Sequence, residues 1–260
     1  MVLDIINEKV KREVKSNLYG IRGELCEYQA IKVPTNSFII TLPEKYRTLS
    51  TRYAFKKVRH IFNTYVPEGL WDFMHNDSRH WKDTYGVLME EALREYELCL
   101  DDIVFLSTGV TMENIVWSVE EYEDLWVICF TTAGVKSNAM RVGVDRASGI
   151  ERNGQFEKIG TINNIVITNA CLDDAAMASS FITVTEAKNV ALQKLDIHSS
   201  YSPSELATGT GTDQIIMASG NGEKCTYVGG HTKIGEMIAR AVTGSTVDAI
   251  KKSANGHFGG

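Results

Sequence analysis

The sequence predicts an α/β chain, with α+β as the alternative arrangement, built on a mixed β-sheet core flanked by helices and ending in a loop-rich C-terminal half. Three observations carry this. From Asp102 onward, short β-branched runs alternate with loops of Gly, Thr and Asn. Elsewhere apolar residues recur every three or four positions, the spacing of an amphipathic helix. Glycine is skewed too, since of 21 glycines only Gly20, Gly23, Gly69 and Gly86 precede Ile103. With 260 residues, 43% of them hydrophobic, the chain can fill a sizeable core, which excludes a disordered class.

Taken in order, Leu3, Ile6, Val10, Val14 and Leu18 sit at helical spacing among Lys and Glu and predict an opening helix. Leu25 to Val33 and Ser37 to Leu42 read as short strands separated by Pro34-Thr35-Asn36. A second helix is expected from about Ser78 to Leu98. Strands follow at Ile103 to Leu106, Leu125 to Thr131, Thr161 to Thr168 and Gln214 to Ala218. Asp173-Asp174 offers an N-cap for an alanine-rich helix, and Ile182 to Leu195 reads as a further segment entering as a strand and leaving as a helix. Lys233 to Lys252 predicts the last helix, with Ile234, Met237, Ile238, Ala241 and Val242 on one face, Gly229-Gly230 as the turn before it and Thr232 as its N-cap.

With no internal repeat and no low-complexity linker, the economical division is one domain over residues 1–260. Within it, 1–46 form a helix-and-strand extension, 47–252 the functional region and 253–260 a frayed tail. The five cysteines are odd in number and widely spaced, with no Cys-x-x-Cys pair, so they read as reduced core residues. The charge balance of 27 Lys+Arg against 33 Asp+Glu gives −6, which disfavours a nucleic-acid partner. No apolar stretch is long enough to span a bilayer, and the opening residues lack a secretory core. A cytoplasmic protein is expected, with no nucleic-acid or membrane partner and homo-oligomer formation left open.

The most unusual segment is Ala207-Thr208-Gly209-Thr210-Gly211-Thr212-Asp213, placed before the apolar run Ile215-Ile216-Met217. Such a loop presents backbone N–H groups, the hydroxyls of Thr208, Thr210 and Thr212, and the Asp213 carboxylate at the mouth of a strand. Neither the Walker A pattern nor the dinucleotide fingerprint fits it. His231 stands at the start of the last helix, where the dipole disfavours imidazolium and favours a neutral ring able to accept a proton. In Thr185-Glu186-Ala187-Lys188, Glu186 suits water activation and Lys188 anion stabilisation, although Thr183-x-x-Glu186 equally spells a capping box. Ser107 and Thr108, Asn138 and Arg141, and Thr161 and Asn163 add hydroxyl, amide and guanidinium groups at strand ends, suited to binding carboxamides or an oxyanion. The candidate ligands are isolated, so no metal site is assigned.

These segments resemble one known family. Ser107-Thr108-Gly109-Val110, Thr132-Ala133-Gly134-Val135 with Asn138-Ala139 and Arg141, Gly160-Thr161-Ile162-Asn163, Thr185-Glu186-Ala187-Lys188, Ala207 to Asp213, and Gly229-Gly230-His231-Thr232 with Gly235 match, in order and approximate spacing, the adenosylcobinamide amidohydrolases of CbiZ type. The resemblance covers about Leu49 to Ala249. Arg47 to Ser50, His60 to Asn63 and Val66-Pro67 look like that family's early region, but Thr51 to Lys57 stands where its pattern is glycine-rich. The resemblance implies hydrolysis of the amide between a corrin side chain and the aminopropanol arm of adenosylcobinamide, giving adenosylcobyric acid for corrinoid salvage. The cobalt then belongs to the corrinoid substrate, and no protein-bound cofactor is required.

On that reading His231 or Asp213 activates water, Glu186 or His231 protonates the leaving amine, and Lys188, Asn138 and the glycine-loop amides support the oxyanion. Ser107, Thr108, Asn138, Arg141, Thr161, Asn163, Thr208, Thr210 and Thr212 bind substrate. A nucleophile drawn from Thr208, Thr210, Thr212 or Ser107 is the alternative to water. A non-catalytic corrinoid-binding or delivery protein is the alternative function, and a phosphate-binding transferase a third reading.

Overall fold

The computed structural model describes residues 11–30, 33–67, 99–147 and 161–255. They form an α/β fold with a strand-rich mixed sheet, and the chain divides into two compact units. The expected helix over 78–98 lies outside the described residues.

Unit 1 takes in residues up to Lys45 together with Val58–Glu113. It begins with an antiparallel hairpin of β1 (Lys11–Leu18) and β2 (Ile21–Ala30), so residues 11–18 are a strand and not the second half of a helix. The reason is local. Leu18 pairs with Ile21 across a two-residue turn, and both turn residues, Tyr19 (φ 52°) and Gly20 (φ 76°), take the positive φ of the type I′ turn that matches strand twist. That turn chemistry overrides the three-and-four spacing. Next comes β3 (Val33–Ser50), far longer than the expected Ser37 to Leu42; Pro34 to Asn36, expected as a turn, pair with β2 instead. β4 (Ala54–Tyr65) pairs with β3 and, in parallel, with β5 (Ile103–Thr108). Phe38, Ile40, Ile61, Phe62 and Phe105 are buried here.

Unit 2 comprises Tyr46–Lys57, Asn114–Ile150 and Glu157–Gly260. Its sheet runs from the end of β3 through β12 (Gln214–Ser219), β9 (Ile162–Thr168) and β7 (Leu125–Ala133) to β6 (Val116–Tyr122). β9 and β12 are parallel neighbours, and parallel neighbours need a crossover. The crossover is α1 (Asp174–Lys194). Two small ladders complete the unit: β8 (Ala139–Met140) with β11 (Gly209–Thr210), and β10 (Cys171–Leu172) with β13 (Lys224–Cys225). The expected strands from 103 onward therefore all appear.

α1 is one helix of 21 residues, which corrects the strand-then-helix expectation for Ile182 to Leu195. Asp173 caps it by accepting from the Ala176 amide at 2.9 Å, worth about 1 kcal/mol. The β-branched run Ile182 to Thr185 stays helical because Thr183 and Val184 are buried, and packing outweighs a weak propensity. At its C-terminus Asp196 takes φ 53°. The Ile197 amide bonds Leu192 O and the Asp196 amide bonds Gln193 O, a Schellman arrangement that stops the helix. Thr183 and Glu186 thus lie mid-helix and form no capping box.

α2 (Lys233–Asn255) starts where expected. Thr232 caps it, accepting from the Gly235 amide at 3.1 Å. Met177, Val184, Ala187, Met237, Ile238 and Val242 of the two helices pack on Val127, Val166, Ile215 and Met217 of the sheet. A buried polar cluster pins α2 to the strands: Asn164 Nδ2 donates to Thr131 Oγ1 (2.9 Å) and Thr246 Oγ1 (3.2 Å), and Thr131 bonds Ser245 (2.8 Å). Burial pushes the neighbouring Cys129 thiol up from its ordinary pKa. All five cysteines are free; Cys26 and Cys129 are core residues as expected, whereas Cys99 is exposed. Among the described residues no helix is long and apolar enough to cross a membrane.

Candidate active site

In unit 2 the N-terminal ends of β9 and β12 and the end of α1 converge on one buried ion pair. Lys188 projects from α1 onto Asp213, the residue before β12, with side-chain exposures of 10% and 14%. The two are 25 residues apart, and the crossover brings them together. Both Asp213 oxygens are engaged: Oδ1 accepts from the Ile162 amide (3.0 Å) and the Thr210 hydroxyl (2.5 Å), Oδ2 from Lys188 Nζ and the Thr210 amide (3.1 Å). The Thr161 hydroxyl donates to Thr212 O (2.6 Å), stitching β9 to the loop, with Asn163 Oδ1 at 3.4 Å. Thr161, Asn163 and Thr210 are buried.

Gly209 has a specific reason to be glycine. A Cβ there would press on Asp213 Oδ2 and lie 2.7 Å from Lys188 Nζ. Sequence reasoning placed Gly209 in the loop without assigning it this role; the alternating glycines were the available signal. Because the obstructing atoms are side-chain ends and not backbone, Gly209→Ala is expected to fold, with a lowered melting temperature and a displaced ion pair. A fall of about tenfold or more in kcat, measured on protein with native circular dichroism, checks this.

The ladder between β8 and β11 pairs Ala139 with Thr210 and Met140 with Gly209. It sets buried Asn138 one residue from that pairing. Thr208 Oγ1 accepts from the Val142 amide (3.0 Å), holding the turn after β8 against the loop. Arg141 is committed elsewhere, its guanidinium donating to Leu206 O (2.8 Å) and pairing with Glu205 (3.2 Å). Two further anchors had no sequence signal: the Asp145 carboxylate accepts from the Arg141 amide (2.5 Å) and the Ser199 hydroxyl (2.6 Å). The Ser199 hydrogen bond, foremost, holds its carboxyl below the ordinary range.

Other expected site residues fall outside this cluster. Glu186 is exposed, two positions from Lys188, and so on a different face of α1. His231 is exposed at the start of α2. Thr243 of α2 bonds the Ala187 carbonyl (3.1 Å), and the helical rise puts the first turn roughly 15 Å from it. Beside it, Thr232 caps α2, and Gly235 lets the Val228 and Gly229 carbonyls pass, since a Cβ there would sit 2.5 Å from Val228 O, whereas a Cβ on Gly230 would meet nothing. Ser107 and Thr108 belong to β5 of unit 1, where the Thr108 hydroxyl accepts from the Val110 amide (3.1 Å). Among the described residues no group of three or more His, Cys, Asp or Glu could hold a metal ion.

Lys188, the loop amides and a carboxylate at one edge can stabilise an anion and exchange a proton. Comparisons with known proteins bear on which reaction this serves. The uncharacterized protein MJ1613 of Methanocaldococcus jannaschii is 41% identical over 251 residues, covering 88% of this chain and 95% of its own. An adenosylcobinamide amidohydrolase of Methanosarcina mazei is 32% identical over 163 residues, covering 59% of this chain and 70% of its own. Among solved structures, the PH0078 protein of Pyrococcus horikoshii aligns over 96% of this chain and 89% of its own with a TM-score of 0.46 at 10% identity. The family model for adenosylcobinamide amidohydrolase (CbiZ) matches residues 23–257, which leaves out β1 but takes in every residue of the ion-pair cluster: the chain belongs to the adenosylcobinamide amidohydrolase family.

Proposed function

We propose that this protein hydrolyses the amide joining a corrin side chain to the aminopropanol arm of adenosylcobinamide, releasing adenosylcobyric acid and an aminopropanol, as a step of corrinoid salvage. The observation that supports this reading is the family match across residues 23–257. Its motif residues Thr161, Lys188, Thr210 and Asp213 also share one hydrogen-bonded cluster in unit 2.

The chemistry assigned to that cluster is attack by water. The Lys188 ammonium and the glycine-loop N–H groups receive the negative charge that develops on the amide oxygen. Asp213 takes one proton from the attacking water as the O–C bond forms, then passes it to the departing nitrogen as the C–N bond breaks. Of its four hydrogen-bond donors, the Thr210 hydroxyl is the one that can rotate away and yield its place on Oδ1 to water. The cobalt is part of the substrate and takes no part in these steps.

Incubating the protein with adenosylcobinamide, with and without a chelator, tests this by chromatography and mass spectrometry. Adenosylcobyric acid is expected in both samples; loss only with chelator overturns the metal-free mechanism. Intact substrate bound to the protein points instead to a corrinoid carrier. Rapid-quench trapping of an acyl ester on Thr210 would replace water by that hydroxyl. His231→Ala and Glu186→Ala are expected to keep kcat/KM within about twofold, as exposed residues outside the cluster. Steady-state rates check this.

A further inference from the structure

Next to the ion-pair cluster, unit 2 carries a turn of unusual composition. Turns are built mostly from Gly, Pro, Asn, Asp and Ser, yet here Val142 and Val144 flank Gly143, 69% and 55% exposed. Single apolar residues on a surface are ordinary; two on one stiffly held turn are not. The Arg141 carbonyl accepts from the Val144 amide (3.1 Å) and the Asp145 amide (3.0 Å), while Asp145 Oδ2 accepts from the Arg141 amide (2.5 Å), so the turn is closed from both ends. Gly143 takes φ 94°, and a Cβ on it would meet nothing. Glycine therefore serves the path of the backbone there, not the room around it.

The turn is fastened to the candidate active site. The Val142 amide donates to Thr208 Oγ1 (3.0 Å), and Thr208 precedes Gly209, where a Cβ would lie 2.7 Å from Lys188 Nζ. Met140, which pairs with Gly209, continues the apolar surface onto the loop: its sulfur lies 3.9 Å from the place a Cβ on Gly211 would take. The charges that flank the turn are engaged within the fold. Arg141 holds Leu206 O and Glu205, and Asp145 accepts from the Ser199 hydroxyl (2.6 Å). Residues 142–144 thus present an uncharged apolar surface beside a charged and polar site.

We propose that Val142 and Val144 are specificity-determining residues which, resting on the function proposed above, support the methyl-bearing rim of the corrin ring while Lys188 and the glycine loop hold the amide to be cut. A corrin carries methyl groups as well as carboxamides around its edge. The polar loop has nothing with which to recognise a methyl group, whereas two valines ordered in advance do, and a surface that is stiff before binding loses little entropy on contact. The rim is the same in substrate and transition state, so the contact acts on KM and not on kcat.

The double variant Val142→Ser with Val144→Ser tests the assignment, with Ile182→Ser on α1, a position 64% exposed, as its control. In calorimetric titration with adenosylcobyric acid, which keeps the whole ring, the double variant is expected to bind about tenfold more weakly and Ile182→Ser as the parent does. KM for adenosylcobinamide is expected to rise by a similar factor at unaltered kcat, and Val142→Ile with Val144→Ile to keep the parent values. Melting temperatures confirm the fold of each variant. Equal affinity in the double variant, a fall in kcat alone, or the same loss in Ile182→Ser would each overturn the assignment. A changed oligomeric state of the double variant in sedimentation would also overturn it, giving the valines to a second copy of the chain. A chain that binds the corrinoid through the valines but leaves adenosylcobinamide intact sinks the hydrolase reading alone. One that hydrolyses it with KM unchanged in the double variant sinks only the role of the valines, and one that neither binds nor cleaves a corrinoid sinks both.

Discussion

Asp213→Asn is expected to lower kcat/KM for adenosylcobinamide about a thousandfold, the combined effect of losing a proton acceptor and loosening the cation that faces the oxyanion. The geometry explains why the isosteric change is not benign. In one orientation the new amide NH2 faces Lys188 Nζ and the Thr210 amide; flipped, it faces the Ile162 amide. Either way donor meets donor. Lys188, only 10% exposed, also loses its counter-charge, and breaking one side of a buried pair costs about 3–5 kcal/mol. Chemical denaturation would register that loss alongside the kinetics. The double variant Lys188→Met with Asp213→Asn removes the stranded charge, so it is expected to regain much of the stability and none of the activity. Recovery of both would reduce the pair to a structural clasp.

Gly235→Ala is expected to act on stability alone, and strongly. Its added Cβ would meet the carbonyls of Val228 and Gly229, with Gly229 C at 2.6 Å. These are backbone atoms in the segment that Thr232 and Thr183 hold, the latter donating to Val228 O at 2.8 Å. Unlike the side-chain ends above Gly209, they have nowhere to turn. Relief requires the start of α2 to lift off the core that Ile234, Met237 and Ile238 help to form. A loss of about 3 kcal/mol or more in unfolding free energy is expected from such overpacking, measured by urea titration. Near-native stability would show that the 228–229 segment is far more yielding than its hydrogen bonds imply.

What could be read in the sequence, and what could not, follows the range of the interactions. The caps at Asp173 and Thr232 were legible because an N-cap acts over three residues. Between Ile103 and Ser219, β5, β7, β9 and β12 were legible because β-branched runs ended at Gly and Asn, whereas β6 and the two-residue strands β8, β10 and β11 were not. The opening helix failed because Tyr19-Gly20 is a turn signal only once positive φ is granted to Tyr19. β3 was foreshortened because Pro34 and Pro43 interrupt its apolar run, although a strand can tolerate proline where the N–H is not needed. Lys188 and Asp213 were each named as candidates, but their union depends on how α1 packs, which no local pattern encodes. His231 stood where expected at the helix start, and the cap at Thr232 and the close passage at Gly235 account for those two residues of its motif.

The crossover α1 has one further consequence. The Ile162 amide, the Lys188 ammonium and the Asp213 carboxylate come from three successive elements, and the span from Ile162 to Asp213 is 51 residues. Closing a loop of that length is an entropic expense met only when β9, α1 and β12 have all docked. The ion pair therefore ties the two ends of the crossover together, and it requires β9, α1 and β12 all to be in place. On the function proposed above, recovery of activity during refolding is expected to report the docking of α1 across β9 and β12 rather than the formation of any single strand or helix.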